Sequence, residues 1–340
     1  MSKKDSKRRA FAWKHGVVSI DALGGMIGPT LFILPDGRAV SPFHIAPWWD
    51  EPKTVDVGRM ISGLRGEWPC VPFGYPAPSD EYPDAWPGHL EEIAVVDDEH
   101  GYSSNSDWSF VDDGCEDRIA LAIDYPTEHA VERLERVVQP DPNAAALDIS
   151  LTIHMRRESC EPIALHGCFR LPRTVGRLIL EPGNFKTGRT FPATVEPKAA
   201  IFAADQIFNS LKFVPSREGH IVDASTLPFA NAGEDLLQLD GINGQFAFAN
   251  LDENFRLNFE WDHSVLPSAL LWYSNRGTSE PPWNNRNMCI GIEPICSPFG
   301  LSPDLARADN PISVAGIATC VPLSPKSPLT IHYRIGVSSI

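Results

Sequence analysis

The chain has 340 residues, of which 43% are hydrophobic, and a formal net charge of −15 from 44 acidic and 29 basic residues. This length and apolar content allow a large buried core, and an all-β protein of this size still folds as one domain. The acidic excess repels phosphate backbones and anionic lipid, so nucleic acids and membranes are poor partners.

The N-terminal region carries no targeting pattern. Residues 1–10 are basic and polar, which predicts a disordered terminus in front of a single domain over residues 11–340. The apolar stretch over residues 16–35 is broken by Asp21, glycines and a proline, so it resembles neither the core of a signal peptide nor a membrane span. We therefore expect a cytoplasmic protein.

The 7 cysteines are an odd number without a C-x-x-C pair, which favours neither a disulfide framework nor a structural zinc site. Free, buried thiols are the expected state. Cross-strand pairing of Cys160 with Cys168, or of Cys289 with Cys296, is the alternative. His-rich metal spacing is also absent from the sequence, so we expect neither a metal ion nor another cofactor.

Apolar and polar residues alternate in many short segments, which is the pattern of half-buried antiparallel strands. The alternation is clearest in the sequences LDISLTIHM, FRLNFEWD and LTIHYRIGV. The predicted strands cover residues 11–20, 30–35, 118–125, 130–138, 147–155, 177–182, 245–250, 255–262 and 329–337.

Helical periodicity is confined to residues 197–211, where the sequence AAIFA is equally compatible with a strand. Long connections rich in Pro, Gly, Trp, Asn and Arg separate several strands, and such loops in a β protein often bind ligands. They cover residues 66–92, 182–198, 215–235 and 273–287. Because no βαβ pattern, phosphate-binding loop or internal repeat occurs, the chain is predicted to be all-β and to form one large β-sandwich.

Two segments combine a polar candidate with aromatic residues. In RGEWPCVPFGYP, a stiff loop either buries Arg65 in an ion pair or directs Arg65 and Trp68 at a ligand. In HGYSSNSDW, His100 is either a structural histidine or one held at the mouth of a site, with Trp108 as a flat apolar face nearby. His89, which precedes this segment, is interpreted as a solvated loop residue or as part of the same rim.

Two apolar segments contain the residues best suited to proton transfer. His166, in ALHGCF, is either a core histidine bonded to backbone or a general acid aimed into a cavity. Glu293 follows an apolar run and is costly to bury unless it is paired. Burial would raise its pKa towards a value that suits a base, so we favour a functional role for Glu293.

The remaining candidates are ambiguous. Asp240 precedes a glycine, which first indicates a turn, although a carboxylate there could also bind sugar hydroxyls. Trp272 lies in an aromatic segment that either stacks on a sugar face or closes the sandwich. The chain contains no Ser-His-Asp arrangement, H-E-x-x-H motif or EF-hand loop, so these hydrolase and metal classes are not supported.

Several of these segments resemble one known superfamily, in order along the chain. RGEWPCVPFG resembles the R-G-G-I-P-x-C-[FW]-P-x-F-G segment of hexose-6-phosphate mutarotases, and HGYSSNSDW resembles their H-G-F-A-R-x-x-x-W. ALHGCF resembles the strand with their second histidine, although Cys168 stands where that pattern has Tyr. IGIEP resembles the strand with the catalytic glutamate, and SPKSPLTIHYRIGV is similar to the closing strand of aldose 1-epimerases. Most of residues 11–338 is therefore identified as a member of the galactose mutarotase-like superfamily.

The resemblance implies a large antiparallel β-supersandwich with few short helices and an open cleft for a sugar. It also implies the interconversion of sugar anomers without a cofactor. Glu293 would be the base that takes the proton of the anomeric hydroxyl, and His166 the acid that protonates the ring oxygen. His100 would bind the sugar, and Arg65 and Asp240 would hold its hydroxyls.

Two positions depart from the phosphosugar pattern. Ser104 stands where that pattern has Arg, and Glu67 stands where it has Gly. A missing cation and an added anion on the rim of the cleft would both weaken phosphate binding. We therefore expect an unphosphorylated sugar as the small-molecule partner of a monomer or homodimer.

Two functions remain open on this scaffold. The first is an aldose 1-epimerase-like isomerase, and the second is a non-catalytic carbohydrate-binding protein. A related epimerase or lyase that acts on a modified sugar or a polysaccharide end is a third possibility. The enzyme is favoured if His166 and Glu293 face one cavity, and the binding protein is favoured if either points into the core.

Overall fold

The segments with a two-residue period form antiparallel strands. A computed structural model describes residues 7–52, 55–75, 82–86 and 99–340. In the strand Ala146–Met155, for example, Leu147, Leu151 and Ile153 are fully buried, whereas Asp148 between them is exposed. The alternation arises because successive side chains of a strand point to opposite faces of the sheet.

The strands account for most of the regular structure. In chain order they are β1 (Arg8–Trp13), β2 (Gly16–Asp21), β3 (Ile27–Ile33), β4 (Ala39–Val40), β5 (Glu67–Cys70), β6 (Ser109–Val111), β7 (Ile119–Asp124), β8 (Val131–Pro140), β9 (Ala146–Met155), β10 (Ser159–Glu161), β11 (Ile163–Arg170), β12 (Leu178–Pro182), β13 (Thr187–Thr190), β14 (Ile207–Phe208), β15 (Val214–Pro215), β16 (Ile221–Val222), β17 (Thr226–Leu227), β18 (Gly233–Asp240), β19 (Gln245–Asn250), β20 (Phe255–Trp261), β21 (Ser268–Asn275), β22 (Met288–Cys296), β23 (Val321–Leu323) and β24 (Leu329–Ser339). The helices are α1 (Gly58–Gly63), α2 (Gly101–Asn105), α3 (Pro303–Arg307) and α4 (Pro311–Val314), with one 3₁₀ turn at Leu211–Phe213.

Two large sheets pack face to face. Over the described ranges, the first has eleven strands in the order β1-β2-β3-β5-β11-β22-β21-β18-β13-β14, with β4 paired to β3. The second has nine strands in the order β17-β12-β19-β20-β24-β9-β8-β7-β6. The Phe169 ring of the first sheet lies 5.5 Å from that of Phe248 and 6.3 Å from that of Phe259, both in the second sheet. The predicted all-β sandwich is confirmed.

A fully buried ion pair joins the two sheets. The Arg136 guanidinium on β8 contacts the Glu67 carboxylate on β5, and both side chains are shielded completely from solvent. The Tyr333 hydroxyl donates to Glu67 Oε1 at 2.9 Å, and Arg136 Nη1 donates to the Gly25 carbonyl at 2.7 Å. The predicted position of Glu67 on the rim of the cleft is wrong, because its side chain points between the sheets.

Three other expectations are corrected. Residues 197–211 form no helix, because the backbone N–H groups of Ile201 and Phe202 both donate to Asp235 Oδ2 at 2.9 Å, and β14 pairs with β13. Residues 8–10 belong to β1 and are not a disordered terminus, whereas residues 1–6 lie outside the described residues.

The third correction concerns the cysteines. Cys160 and Cys320 form a disulfide across β10 and β23, with their Cα atoms 5.5 Å apart. The expectation that all cysteines are free thiols is therefore wrong, and neither Cys160–Cys168 nor Cys289–Cys296 forms a disulfide. The free thiols are those of Cys70, Cys115, Cys168, Cys289 and Cys296, of which only Cys115 is exposed. The partner of Cys160 was missed because the two residues are 160 positions apart in the sequence.

Replacing Arg136 with Met is expected to lower the free energy of unfolding by about 3–5 kcal/mol, since Glu67 would stay buried without its cation. The double variant Glu67→Gln/Arg136→Met should recover much of this loss. Equilibrium urea unfolding measures both. Arg133→Met is the matched control, because Arg133 bonds to the exposed Asp124 and Glu135, and it should cost no more than about 1 kcal/mol. Equal losses for the two arginine variants would contradict a structural role for the buried pair.

Candidate active site

A cavity of about 500 Å³ lies on the outer face of the eleven-stranded sheet. Its floor comes from the four adjacent strands β11, β22, β21 and β18, which contribute His166, Glu293, Trp272 and Glu234 among others. Residues one position away on these strands, such as Ile292, belong to the core between the sheets. The two-residue period therefore sends apolar side chains to the core and the polar ones into the cavity.

His166 and Glu293 lie side by side at one end of this cavity. His166 Nε2 is 3.5 Å from Glu293 Oε1, and the two side chains are only 7% and 2% exposed. Glu293 Oε2 has no hydrogen-bond partner among the described residues. On its other side His166 Nδ1 is 3.5 Å from Cys168 Sγ, the position at which the resemblance expects Tyr. Both residues thus face one cavity, and Glu293 keeps an oxygen free for a ligand.

Burial shifts the pKa values of this pair in opposite directions. It raises the pKa of Glu293 well above its ordinary value, because the carboxylate loses its hydration. It lowers the pKa of His166 well below its ordinary value, and the neighbouring His100 adds to that effect. Burial therefore favours the uncharged form of both side chains, a carboxylic acid beside a neutral imidazole.

His100 completes this end of the cavity. Its ring stacks on Phe73 at 4.7 Å and lies 5.2 Å from the ring of His166. Burial lowers the pKa of His100 to about 3, so the ring is uncharged. The residue has a left-handed backbone (φ 60°) directly before α2, and Gly101 follows it at φ 80°. A Cβ on Gly101 would meet the Pro72 carbonyl oxygen at 2.5 Å, so only glycine allows this close approach.

Comparison with known proteins decides the fold. No protein-family model matches the chain, and no curated protein matches it in sequence. Solved structures do match over nearly their whole lengths. An aldose epimerase homologue from C. elegans has a TM-score of 0.64 at 12% identity, covering 98% of this chain and 99% of that chain. A galactose mutarotase-like protein from Lactobacillus casei has a TM-score of 0.60 at 13% identity, covering 97% and 99%. A galactose mutarotase related enzyme from Lactobacillus acidophilus has a TM-score of 0.57 at 14% identity, covering 98% and 97%.

The chain has the galactose mutarotase-like fold. This confirms the superfamily resemblance at the level of fold. Within the described part of the chain, no helix is long and apolar enough to cross a membrane. The same residues contain no group of three or more His, Cys, Asp or Glu side chains arranged around a possible metal ion.

In this mutarotase-like fold, four of the predicted site residues line the cavity and four do not. His166, Glu293, His100 and Trp272 line it. Arg65 does not, because its guanidinium forms an ion pair with Asp21 and lies 4.8 Å from the ring centre of Trp49. The ion pair was the alternative interpretation of Arg65, and the structure favours it over ligand binding.

Asp240 and two tryptophans also lie away from the ligand space. Asp240 is 2% exposed and accepts hydrogen bonds from Arg189 Nε and Gln238 Nε2, both at 2.8 Å. Trp68 is fully buried and stacks on His166 at 4.1 Å from the adjacent strand β5, so it supports the histidine from the side. Trp108 belongs to the core between the sheets, where Nε1 donates to a backbone carbonyl. Their local sequence did not reveal these partners, which come from other strands and loops.

Ser104 is not on the rim of the cleft. It is fully buried, its hydroxyl donates to the His100 carbonyl at 2.7 Å, and it lies 3.4 Å from Cys70 Sγ. The missing arginine at this position therefore says nothing direct about phosphate binding. His89, the other histidine of this region, lies outside the described residues.

The sequence analysis missed the acidic character of the cavity. Glu99, Glu196 and Glu234 line it together with Glu293, and no Lys or Arg does so among the described residues. Burial raises the pKa of Glu234 to about 7. The side chain of Glu99 is 38% exposed. Partial burial in the cavity removes water from its carboxylate and raises its pKa to about 7. The only signal for Glu234 in the sequence was an acidic residue at the start of a strand, which is too common to identify a site.

Gly101→Ala is expected to destabilise the protein more than Gly114→Ala. Both glycines have a positive φ, 80° and 75°, so both variants incur the roughly 1–2 kcal/mol cost of a left-handed residue. Only Gly101→Ala adds the clash with Pro72, because nothing lies within 4 Å of a Cβ at Gly114. Urea unfolding should show a further loss of about 1–3 kcal/mol for Gly101→Ala. Equal unfolding free energies for Gly101→Ala and Gly114→Ala would contradict the close contact between Gly101 and Pro72 that positions His100.

Proposed function

We propose that the protein is a mutarotase that interconverts the anomers of an unphosphorylated reducing sugar. The observation that carries the proposal is the pair His166 and Glu293, which are 3.5 Å apart, buried, and open to the same cavity. The fold neighbours named as aldose epimerases and mutarotases support the same reaction class. Their low identity limits that support to the scaffold.

Ring opening needs one proton removed and one proton donated on either side of the anomeric carbon. Glu293 as carboxylate takes the proton of the anomeric hydroxyl, and His166 as imidazolium gives a proton to the ring oxygen. The bond between the anomeric carbon and the ring oxygen breaks, and an aldehyde forms. Rotation about the neighbouring carbon–carbon bond and the reverse transfers close the ring as the other anomer.

The cycle starts from the charged form of the pair. Burial favours the acid beside the neutral imidazole, and transfer of that proton from Glu293 to His166 gives the carboxylate and the imidazolium. The anomeric hydroxyl oxygen and the ring oxygen are bonded to the same carbon. Two side chains as close together as Glu293 and His166 can therefore exchange protons with both oxygens. Trp68 beside His166 and the apolar surroundings keep water out of the pair. Positioned acid–base catalysis of this kind contributes about a hundredfold to ten-thousandfold in rate.

The charge of the cavity favours an unphosphorylated substrate. A phosphate ester needs cationic or multiple N–H donors around it. The described cavity lining has four glutamates and no Lys or Arg. Ser104 and Glu67 are buried outside the cavity and do not contribute to this preference.

A non-catalytic carbohydrate-binding protein is the second candidate. The observation in its favour is that Arg65 and Asp240, which the resemblance assigns to hydroxyl binding, are engaged in ion pairs outside the cavity. A binding protein on this scaffold would bind sugars without exchanging their anomers. Exchange measurements on active-site variants separate the two candidates.

Glu293→Gln and His166→Asn should each lower the rate of anomer exchange by about a hundredfold to ten-thousandfold, since each removes one proton-transfer group. NMR exchange spectroscopy with a reducing sugar measures the rate directly. Glu218→Gln is the control, because the Glu218 side chain is 84% exposed, and it should exchange at the wild-type rate. A Glu293→Gln variant as fast as wild type would rule out the proposed base.

The protein should also exchange the anomers of a phosphorylated sugar more slowly than those of an unphosphorylated one. We expect kcat/KM for glucose 6-phosphate to be at least about tenfold below that for glucose, because the phosphate would enter an acidic cavity without a cation. Polarimetry or NMR across glucose, galactose and glucose 6-phosphate gives the comparison. A clear preference for the phosphate ester would overturn the substrate assignment.

A further inference from the structure

Trp272 stands beside the reacting pair on the floor of the cavity. It lies two residues along β21 from Leu270, the residue that pairs with Glu293, so its side chain points to the same face of the sheet. The centre of its indole is 6.3 Å from that of the His166 ring. Trp272 pairs with Gly291, and a Cβ on Gly291 would meet Glu293 Oε1 at 2.6 Å and Trp272 Cβ at 2.8 Å. A sugar that reacts at the pair is therefore next to the Trp272 indole.

Glu234 holds the edge of this indole. Trp272 Nε1 donates a hydrogen bond to Glu234 Oε1 at 2.7 Å, and the Ser274 hydroxyl donates to Glu234 Oε2 at 3.1 Å. Asn287 Nδ2 donates to the Ser274 hydroxyl at 2.9 Å, and Asn287 Oδ1 lies 2.8 Å from His44 Nε2. The four side chains of this network, apart from the indole, are at most 5% exposed. The acceptor of the indole N–H is thus itself fixed by buried hydrogen bonds.

The bonding of Glu234 is directed at neutral donors. A carboxylate is costly to bury, and burial raises the pKa of Glu234 to about 7. Hydrogen bonds from Trp272, Ser274 and Thr278 act in the opposite direction and stabilise the carboxylate. Of these three donors, only Trp272 presents an aromatic face to the cavity. The bond to Trp272 is therefore the contact through which Glu234 acts on the shape of the site.

Packing and this one hydrogen bond together set the plane of the indole. The Trp283 ring stands at 87° to the Trp272 ring, with centres 5.7 Å apart, and both line the cavity. A tryptophan in such surroundings needs a partner for its N–H. Without the Glu234 acceptor, the Trp272 ring would turn to reach another partner or leave the N–H unpaired. A pyranose has an apolar face of C–H bonds, and a turned ring would no longer match that face.

We propose that Glu234 is a positioning residue of the sugar site, which holds the Trp272 indole in the plane on which the pyranose packs. The proposal rests on the proposed function, which places the sugar at His166 and Glu293. Glu234 takes no part in proton transfer. Its loss therefore weakens binding of the ground state and the transition state alike and leaves the chemical step unchanged.

Two substitutions of Glu234 test the acceptor. Glu234→Leu removes it, whereas Glu234→Gln keeps it, since a glutamine carbonyl also accepts from an indole N–H. Glu234→Leu should raise KM for glucose and galactose at least about tenfold, with kcat within about twofold of wild type. Glu234→Gln should restore KM to within about threefold of wild type. NMR exchange spectroscopy over a range of sugar concentrations gives both constants. Equal KM values for the two variants, or a fall in kcat at constant KM, would overturn the positioning role.

Trp272→Phe tests the same bond from its other partner, because phenylalanine keeps a ring and has no N–H. It should raise KM at least about tenfold, and adding Glu234→Leu should raise KM no further, since both changes break one interaction. KM effects that multiply in the double variant would contradict a shared role. An unchanged KM for Trp272→Phe would overturn the proposal even if Glu234→Leu does not fold.

Trp261→Phe is the matched control. Trp261 lies on β20 in the second sheet, is 6% exposed, and donates from Nε1 to the Leu266 carbonyl at 2.9 Å. Urea unfolding should show a loss of stability for both tryptophan variants, whereas KM should rise only for Trp272→Phe. An equal rise of KM in Trp261→Phe would assign the effect to general loosening of the fold and overturn the positioning role.

Calorimetric binding constants on the same proteins separate this inference from the proposed function. Glucose and galactose binding that weakens in the predicted variants, without anomer exchange in any protein, would remove the mutarotase assignment and leave the positioning role. Anomer exchange with equal KM in all Glu234 and Trp272 variants would leave the mutarotase and remove the positioning role. A wild-type protein that binds neither sugar would overturn both.

Discussion

The two-residue period of four adjacent strands connects the core of this protein to its cavity. On β11, β22, β21 and β18, alternate residues pack between the sheets, and the residues between them form the floor of the cavity. Ile290 and Ile292 pack in the core, and Glu293 next to them faces the cavity. Any shift of register by one residue would exchange these roles and bury the carboxylate between the sheets. The apolar core therefore fixes where the acidic side chains point.

Burial then sets the chemistry at the two ends of the cavity. At one end it brings a histidine with a lowered pKa next to a glutamate with a raised pKa. At the other end it holds Glu234 in a network of neutral donors and raises its pKa to about 7, and no Lys or Arg lines the cavity among the described residues. The first arrangement suits proton transfer, and the second adds to the acidity of the cavity. Both depend on removing carboxylates from water without pairing them with Lys or Arg.

Three arginines of this protein form ion pairs outside the cavity. Arg136 is paired with Glu67 between the sheets, Arg65 with Asp21, and Arg189 with Asp240. Each of these ion pairs joins segments that are distant in the sequence. They explain why two residues that the resemblance assigns to sugar binding lie outside the cavity. In the part of the chain that the structure describes, the cavity lining therefore contains no Lys or Arg.

The sequence alone determined the fold class and the centre of the candidate site. Alternation is a local property, so the strands could be predicted from neighbouring residues, and β7, β8, β9, β12, β19, β20 and β24 lie where predicted. His166 and Glu293 could be selected because a polar side chain in an apolar strand is costly to bury without a partner. The segment over residues 197–211 was misread because its backbone donors bond to Asp235, a contact that local periodicity does not report.

Only the tertiary structure decided which charged residues remain free for a ligand. The partner of Arg65 is 44 positions away, that of Arg189 is 51 positions away, and that of Cys160 is 160 positions away. Glu234 belongs to the cavity because strands from separate parts of the chain place it there, and none of the described lining residues is Lys or Arg. Pairing between distant residues is a property of the folded chain, since the energy that decides it depends on distance and burial in space.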